Sequence, residues 1–268
     1  MNAQRAITFV NTHGNPTEKA RLRFIWNGTP AEDAIVVQLF EGQRADGGFA
    51  PPWANDYSSV DATCFRIAQA EQLGVNATHP NLKFAFSFLL GRQNKTGSWE
   101  EEASQADAAP MWARPGDKAA QLFLIANCAF WVAQYKASPE AAELASSYLK
   151  LRLGDSLGYG PEMSSFLQTH WLSGALWTKL GELEFATRMI RYLGDRIDKM
   201  DVSELAWLIG AFGLAGLPAN HALMYSAAIR LNKLQDPTGP WRSKEGDKNN
   251  DVHVTIEAVR ALKMCNRL

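Results

Sequence analysis

Apolar residues recur at helical spacing along almost the whole chain. Ile35, Val36, Leu39 and Phe40 form one such face, and Thr29-Pro30 ahead of them predicts a capped helix to about Gln43. The same signals predict helices over about 2–10, 17–26, 58–73, 80–91, 117–135, 138–153, 163–180, 183–197, 201–217, 221–234 and 251–264. Asp201-Val-Ser-Glu204 has the spacing of a capping box, in which each end of the motif satisfies a backbone N–H of the other. The longest apolar run, Leu205 to Leu217, predicts a helix buried on all sides. No stretch alternates with period two, so no strand is expected. The expectation is all-α, with about a dozen helices in pairs joined by short loops.

A short motif punctuates this pattern. Residues 93–99 read QNKTGSW and residues 235–241 read QDPTGPW, both fitting Gln-x-x-x-Gly-x-Trp. Residues 43–49, QRADGGF, put Phe49 in the Trp position, and GDSLGYGPE stands where a further, degenerate copy would fall. Gln43 to Gln93 is 50 residues and Gln93 to Gln235 is 142, close to three more such steps. Helix pairs repeating at a fixed step must stack or close. An open stack would want polar ends, whereas both ends here carry Leu, Ile and Phe, which favours a closed ring in one domain over residues 1–268.

Composition narrows the partners. With 268 residues, 46% hydrophobic and a net charge of -1, the chain lacks the basic footprint of a nucleic-acid binder. Cys64, Cys128 and Cys265 are odd in number and widely spaced, as buried thiols of a reducing compartment are, so cytoplasm is expected. The first residues show no signal peptide, and no apolar run reaches the roughly 20 residues that cross a bilayer. That leaves peripheral membrane contact open. No phosphate-binding Gly loop, nucleophile elbow or HExxH occurs.

Gln-x-x-x-Gly-x-Trp after a helix, with Lys83 and Phe88-Leu89 ahead of Gln93, resembles the aromatic-glutamine repeat of squalene and oxidosqualene cyclases. DGGFAPPWANDYSSVDATCF, residues 46–65, resembles the Gly-Gly-Phe segments of protein prenyltransferase β subunits. The resemblance implies an α/α toroid whose inner helices surround a funnel lined by aromatics. In such a ring the motif itself is structural: its Gln bonds backbone groups left free at helix ends and its Trp fills the gap between pairs.

The same resemblance directs attention to the residues that follow each motif, where inner helices begin at the funnel mouth. These are Asp56, Tyr57 and Asp61, then Glu162 and His170, then Asp201 and Glu204, and last Asp251 and His253. Asp61 is the expected general acid, because a desolvated carboxylic acid holds its proton and can deliver it to an alkene or epoxide. His253 or Asp251 would be the proton partner, and His170 a further candidate. Tyr57, Trp171, Trp207 and Phe212 would contact the substrate, since aromatic faces stabilise cations. Each has a plainer alternative: a first-turn Asp favoured by the helix dipole, a helix-start or core His, and core aromatics. The prenyltransferase zinc set is broken, with Thr63 where a thiolate belongs and His253 one place early, so neither metal nor other cofactor is expected. The Asp-x-Asp-Asp acid motif of the cyclases is absent.

The expected function is an enzyme of cyclase type, an isomerase or lyase, acting by acid–base chemistry on an apolar small molecule of isoprenoid kind. The alternative is a non-catalytic toroid that binds an apolar ligand or a partner protein.

Overall fold

The computed structural model describes residues 2–153, 165–244 and 246–268. Among them are twelve α-helices: α1 (Ala3–His13), α2 (Pro16–Asn27), α3 (Asp33–Phe40), α4 (Val60–Gln72), α5 (Pro80–Gly91), α6 (Lys118–Gln134), α7 (Pro139–Leu153), α8 (Leu167–Leu180), α9 (Leu183–Gly194), α10 (Val202–Ala215), α11 (Ala222–Lys233) and α12 (Lys248–Met264). The described residues contain no strand, only isolated bridges at Gln43–Phe49 and Phe49–Ser59. The degenerate motif copy and Glu162 lie outside the described residues.

Caps written in the sequence set several boundaries. Asn15 and Glu18 form a reciprocal capping box around Pro16 at the start of α2, and Asp201 and Glu204 do the same for α10. Three starts differ from expectation, α8 opening at Leu167 after Phe166 as its N-cap where about 163 was expected. α3 begins at Asp33 and not near Thr29, because the Ala31 N–H donates to the Leu73 carbonyl at 3.0 Å and holds that segment out of the helix. α12 begins three residues early, at Lys248, where Asp247 accepts from the Asn249 N–H. Asp251 therefore sits inside the first turn instead of opening it.

The chain divides into two compact units, residues 1–39, 71–75 and 191–268, and residues 40–70 and 76–190. In the first, α12 is central and packs against α10, α2, α1 and α11. Most of its residues from Asp251 to Leu262 are buried, including the charged Glu257 and Arg260. α10 is buried nearly all round as expected, except at Trp207, which is 38% exposed. In the second unit α6 packs against α7 and α8, and Cys64 of α4 touches Cys128 of α6 with sulfurs 3.6 Å apart. All three cysteines are free and buried.

The motif acts as a clasp, and its three copies do so alike. Gln43, Gln93 and Gln235 each donate from Nε2 to the carbonyl four residues on, that of Gly47, Gly97 or Gly239. Each also donates to a carbonyl at the start of another helix: Asn81 of α5, Ala141 of α7 and Asn2 ahead of α1. The tie is thus to helix beginnings, and at Gln235 it includes a group that a helix end leaves free, since its Oε1 accepts the N–H of Asn2, the N-cap of α1, at 2.8 Å. Trp99 and Trp241 are fully buried, and their indoles donate to the carbonyls of Leu89 and Leu231, ten residues back. Truncating such a side chain to Ala typically costs about 3–5 kcal/mol. Gly97 has φ +88°, and a Cβ there would lie 2.5 Å from the Leu144 carbonyl carbon, so the clasp requires glycine for both conformation and space.

Candidate active site

The first and third motif copies position their following helices in the same way. The Phe49 N–H donates to Thr63 Oγ1 at 3.2 Å, and the Trp241 N–H donates to Thr255 Oγ1 at 3.0 Å, fourteen residues on in each case. This register makes Asp61 and His253 equivalent positions, each twelve residues after the aromatic. The repeat therefore pairs the two leading candidates, although they belong to different units.

Asp61 lies in the first turn of α4 and is part-buried. Its Oδ2 accepts from the Trp112 indole N–H at 3.2 Å. Burial pushes its carboxyl up to about 6, helped by the nearby Glu101 charge and opposed by the Trp112 hydrogen bond. Glu101, only 3% exposed, reaches over the start of α4. It accepts from the Val60 and Asp61 N–H groups at 3.1 Å each, Ser59 Oγ at 2.6 Å and the Tyr57 hydroxyl at 2.7 Å. Backbone donors that a helix start leaves free are thereby satisfied by a carboxylate that also favours the helix dipole. The Tyr57 oxygen in turn accepts from the Glu102 N–H and Arg92, so its hydroxyl is fully engaged within the loop. Burial and Glu101 raise the Tyr57 hydroxyl well above its ordinary value.

His253 stands in a different setting, one turn into α12. Arg21 of α2, fully buried, donates twice to Gln72 Oε1, at 2.9 and 2.6 Å, and to Glu257 Oε1 at 2.7 Å. Gln72 donates its own N–H to the same Glu257 oxygen at 2.8 Å. The remaining Arg21 nitrogen, Nη1, lies 3.2 Å from His253 Nδ1. A guanidinium only donates, so Nδ1 accepts and the neutral ring carries its proton on Nε2. Burial lowers the His253 pKa, and Arg21 lowers it further while Glu257 acts the other way. Burial alone would raise Glu257, but Arg21 and Arg260 hold it below its ordinary value. Trp207 meets the His253 ring edge-on, with centroids 6.4 Å apart.

The other candidates are placed as follows. Asp251, 4% exposed, accepts from Arg242 Nη1 at 2.8 Å and the Ser243 N–H at 2.7 Å, which fixes the loop after Trp241. His170, on α8, is buried; its Nδ1 lies 3.1 Å from the Phe166 carbonyl and its Nε2 3.2 Å from Ser165 Oγ. Trp171 and Phe212 are core side chains. Among the described residues no group of three His, Cys, Asp or Glu side chains converges as a metal site, and no helix is long and apolar enough to cross a membrane.

Sequence reasoning missed Glu101, Trp112, Arg21, Gln72 and Glu257. Glu101 had a signal in its place two residues after a motif Trp. Glu257 and Arg260 had one as charges among the apolar residues of α12.

No family model matches the chain, and no curated protein matches it. Solved structures do. Type II terpene cyclase MstE from Scytonema, in its apo form, aligns with 99% of this chain and 98% of its own at a TM-score of 0.62 and 14% identity. A variant of that cyclase in complex with merosterolic acid A, its product, gives 0.64 over 99% and 96% of the two chains, also at 14% identity. Another, in complex with geranylgeranyl dihydroxybenzoate, its substrate, gives 0.61 over 99% and 97%, again at 14%. The chain has the fold of a type II terpene cyclase. That fold class is all-α, of the α/α toroid kind expected from the motif.

Proposed function

We propose that this protein is a cyclase-type enzyme that protonates an apolar, isoprenoid substrate, with Asp61 as the general acid. The observation that carries the reading is the Asp61 carboxyl, raised to about 6 at a helix start beside Glu101 and hydrogen-bonded by Trp112. Fold likeness to terpene cyclase structures in complex with geranylgeranyl dihydroxybenzoate as substrate and merosterolic acid A as product supports the substrate class. Trp112 donates to Oδ2, so Oδ2 serves as the carbonyl oxygen of the protonated acid and Oδ1 carries the proton. In the step proposed, that proton adds to an alkene carbon, the π electrons form the new C–H bond, and a carbocation remains for ring closure. The resulting carboxylate keeps the indole N–H as its partner. Loss of a proton from the cyclised cation completes an isomerisation.

His253 acts in this reading as a neutral hydrogen-bond donor and not as a base, since Arg21 occupies its acceptor nitrogen. Asp251 and His170 are held by their own partners and take supporting roles. Trp207 is the aromatic retained as a substrate contact, being part-exposed beside His253. The reading includes a cytoplasmic location, which rests on three free cysteines.

The test is incubation with a panel of linear isoprenoids and product analysis for wild type and Asp61→Asn. Turnover is expected to fall by about 10²–10⁴-fold in the variant, the usual contribution of a positioned acid. An Asp61→Asn protein that binds the panel and forms the same products at the same rate would remove the acid assignment. Binding without turnover in wild type would favour the non-catalytic alternative.

A further inference from the structure

The network around His253 is larger than stability requires. A buried Arg–Glu pair usually does no better than apolar residues of the same volume, so its retention calls for a reason of specificity. Here the chain spends three side chains, Arg21, Gln72 and Glu257, on fixing one imidazole nitrogen. Arg21 is immobilised by three hydrogen bonds, and its fourth fixes the His253 ring and tautomer together. The other ring nitrogen, Nε2, makes no hydrogen bond among the described residues, and His253 itself is part-buried. It is thus an oriented N–H on a part-buried ring, flanked by the part-exposed indole of Trp207.

We infer that His253 Nε2–H and the Trp207 ring form a recognition site for an apolar ligand bearing a hydrogen-bond-accepting oxygen, such as a carbonyl. The donor is neutral and cannot readily become a base, because its second nitrogen is already an acceptor for Arg21. Such a site selects an oxygenated isoprenoid over a pure hydrocarbon. The isoprenoid part of the ligand rests on the function proposed above; the oxygen acceptor does not.

The tautomer is read first, on the wild-type protein, from the ¹⁵N shifts of the His253 ring. A neutral Nε2–H form at pH 7 is expected, and an Nδ1–H form or an imidazolium would overturn the inference. Binding is then measured for three probes: geranylgeranylacetone, the hydrocarbon with its carbonyl replaced by methylene, and a straight-chain ketone of equal length. The ketone of the isoprenoid pair is expected to bind about tenfold more tightly, the worth of one hydrogen bond, and to move the Nε2–H resonance. His253→Phe should abolish that preference while leaving hydrocarbon affinity within about twofold. Equal binding of ketone and hydrocarbon to wild type overturns the inference even if the variant fails to fold. Binding of the straight-chain ketone alone, with the same loss in His253→Phe, keeps the donor site and overturns the isoprenoid reading. No binding of any probe overturns both.

Discussion

Asp61 and His253 occupy the same place in two copies of one repeat, and their chemistry is complementary. Each follows its aromatic by twelve residues, and each precedes by two a threonine whose hydroxyl accepts the N–H of that aromatic. Burial pushes both toward neutrality, the acid upward and the base downward. Each also has a neighbour that reinforces the push: the Glu101 carboxylate beside Asp61 and the Arg21 guanidinium beside His253. One helix start thus holds a carboxyl that keeps its proton to higher pH than an ordinary Asp, and the other a neutral N–H. The repeat supplies the position, and the neighbours, drawn from other segments, supply the chemistry.

The comparison is broken most severely at Arg21. Arg21→Met leaves Glu257 buried without its closest cation and frees the His253 ring, and losing one partner of a buried pair costs about 3–5 kcal/mol. A fall in Tm of about 10 °C is expected by calorimetry, together with a rise in the His253 pKa. A variant melting within about 2 °C of wild type would show that the network is not a unit.

Asp61→Asn sharpens the other side through pH. Between its ordinary value of 3.8 and about 6, the folded protein holds a proton that the unfolded chain has released. The stability this contributes is complete below 3.8 and is lost as pH rises through about 6. Asn removes the cost, so Tm should exceed wild type by about 2–4 °C at pH 8, a gain that shrinks on acidification. His253 has the opposite slope: its lowered pKa gives stability present above 6.5 and lost as pH falls below it.

Two milder changes are read at the Asp61 carboxyl. Glu101→Gln should move the Asp61 titration downward, because a like charge is removed. Trp112→Phe should move it upward, because the hydrogen bond that favours the ionised form is lost. Carboxyl ¹³C titration follows both, and shifts of the same sign in the two variants would contradict this account of the site.

Much of the fold was legible because its determinants are local. Asn15-Pro16, Pro80, Pro139 and the Asp201–Glu204 box each mark a helix start within four residues of chain, and the motif glycines mark the turns. What escaped notice depends on distant contacts. The late start of α3 comes from a hydrogen bond to Leu73, 42 residues away in sequence. Glu101 reads as one acid in an acidic loop until its side chain is seen over residues 57–61, and Arg21 meets Glu257 across 236 positions. Asp61 and His253 were found by their place after a motif, but their neighbours decide which protonation state each one holds.

The clasp between Gln235 and Asn2 has a consequence for how the chain acquires this structure. Gln235 trades two hydrogen bonds with Asn2 across 233 residues, and α1 and α2 find their packing surface on α12, near the other end of the sequence. The unit built from residues 40–70 and 76–190 is nearly continuous and can condense while synthesis proceeds. The other unit cannot assemble before α12 is made, and closing so long a loop slows its assembly. Until then α1 and α2 have each other but lack the α12 surface on which both pack, so their apolar sides stay exposed while the rest of the chain is made.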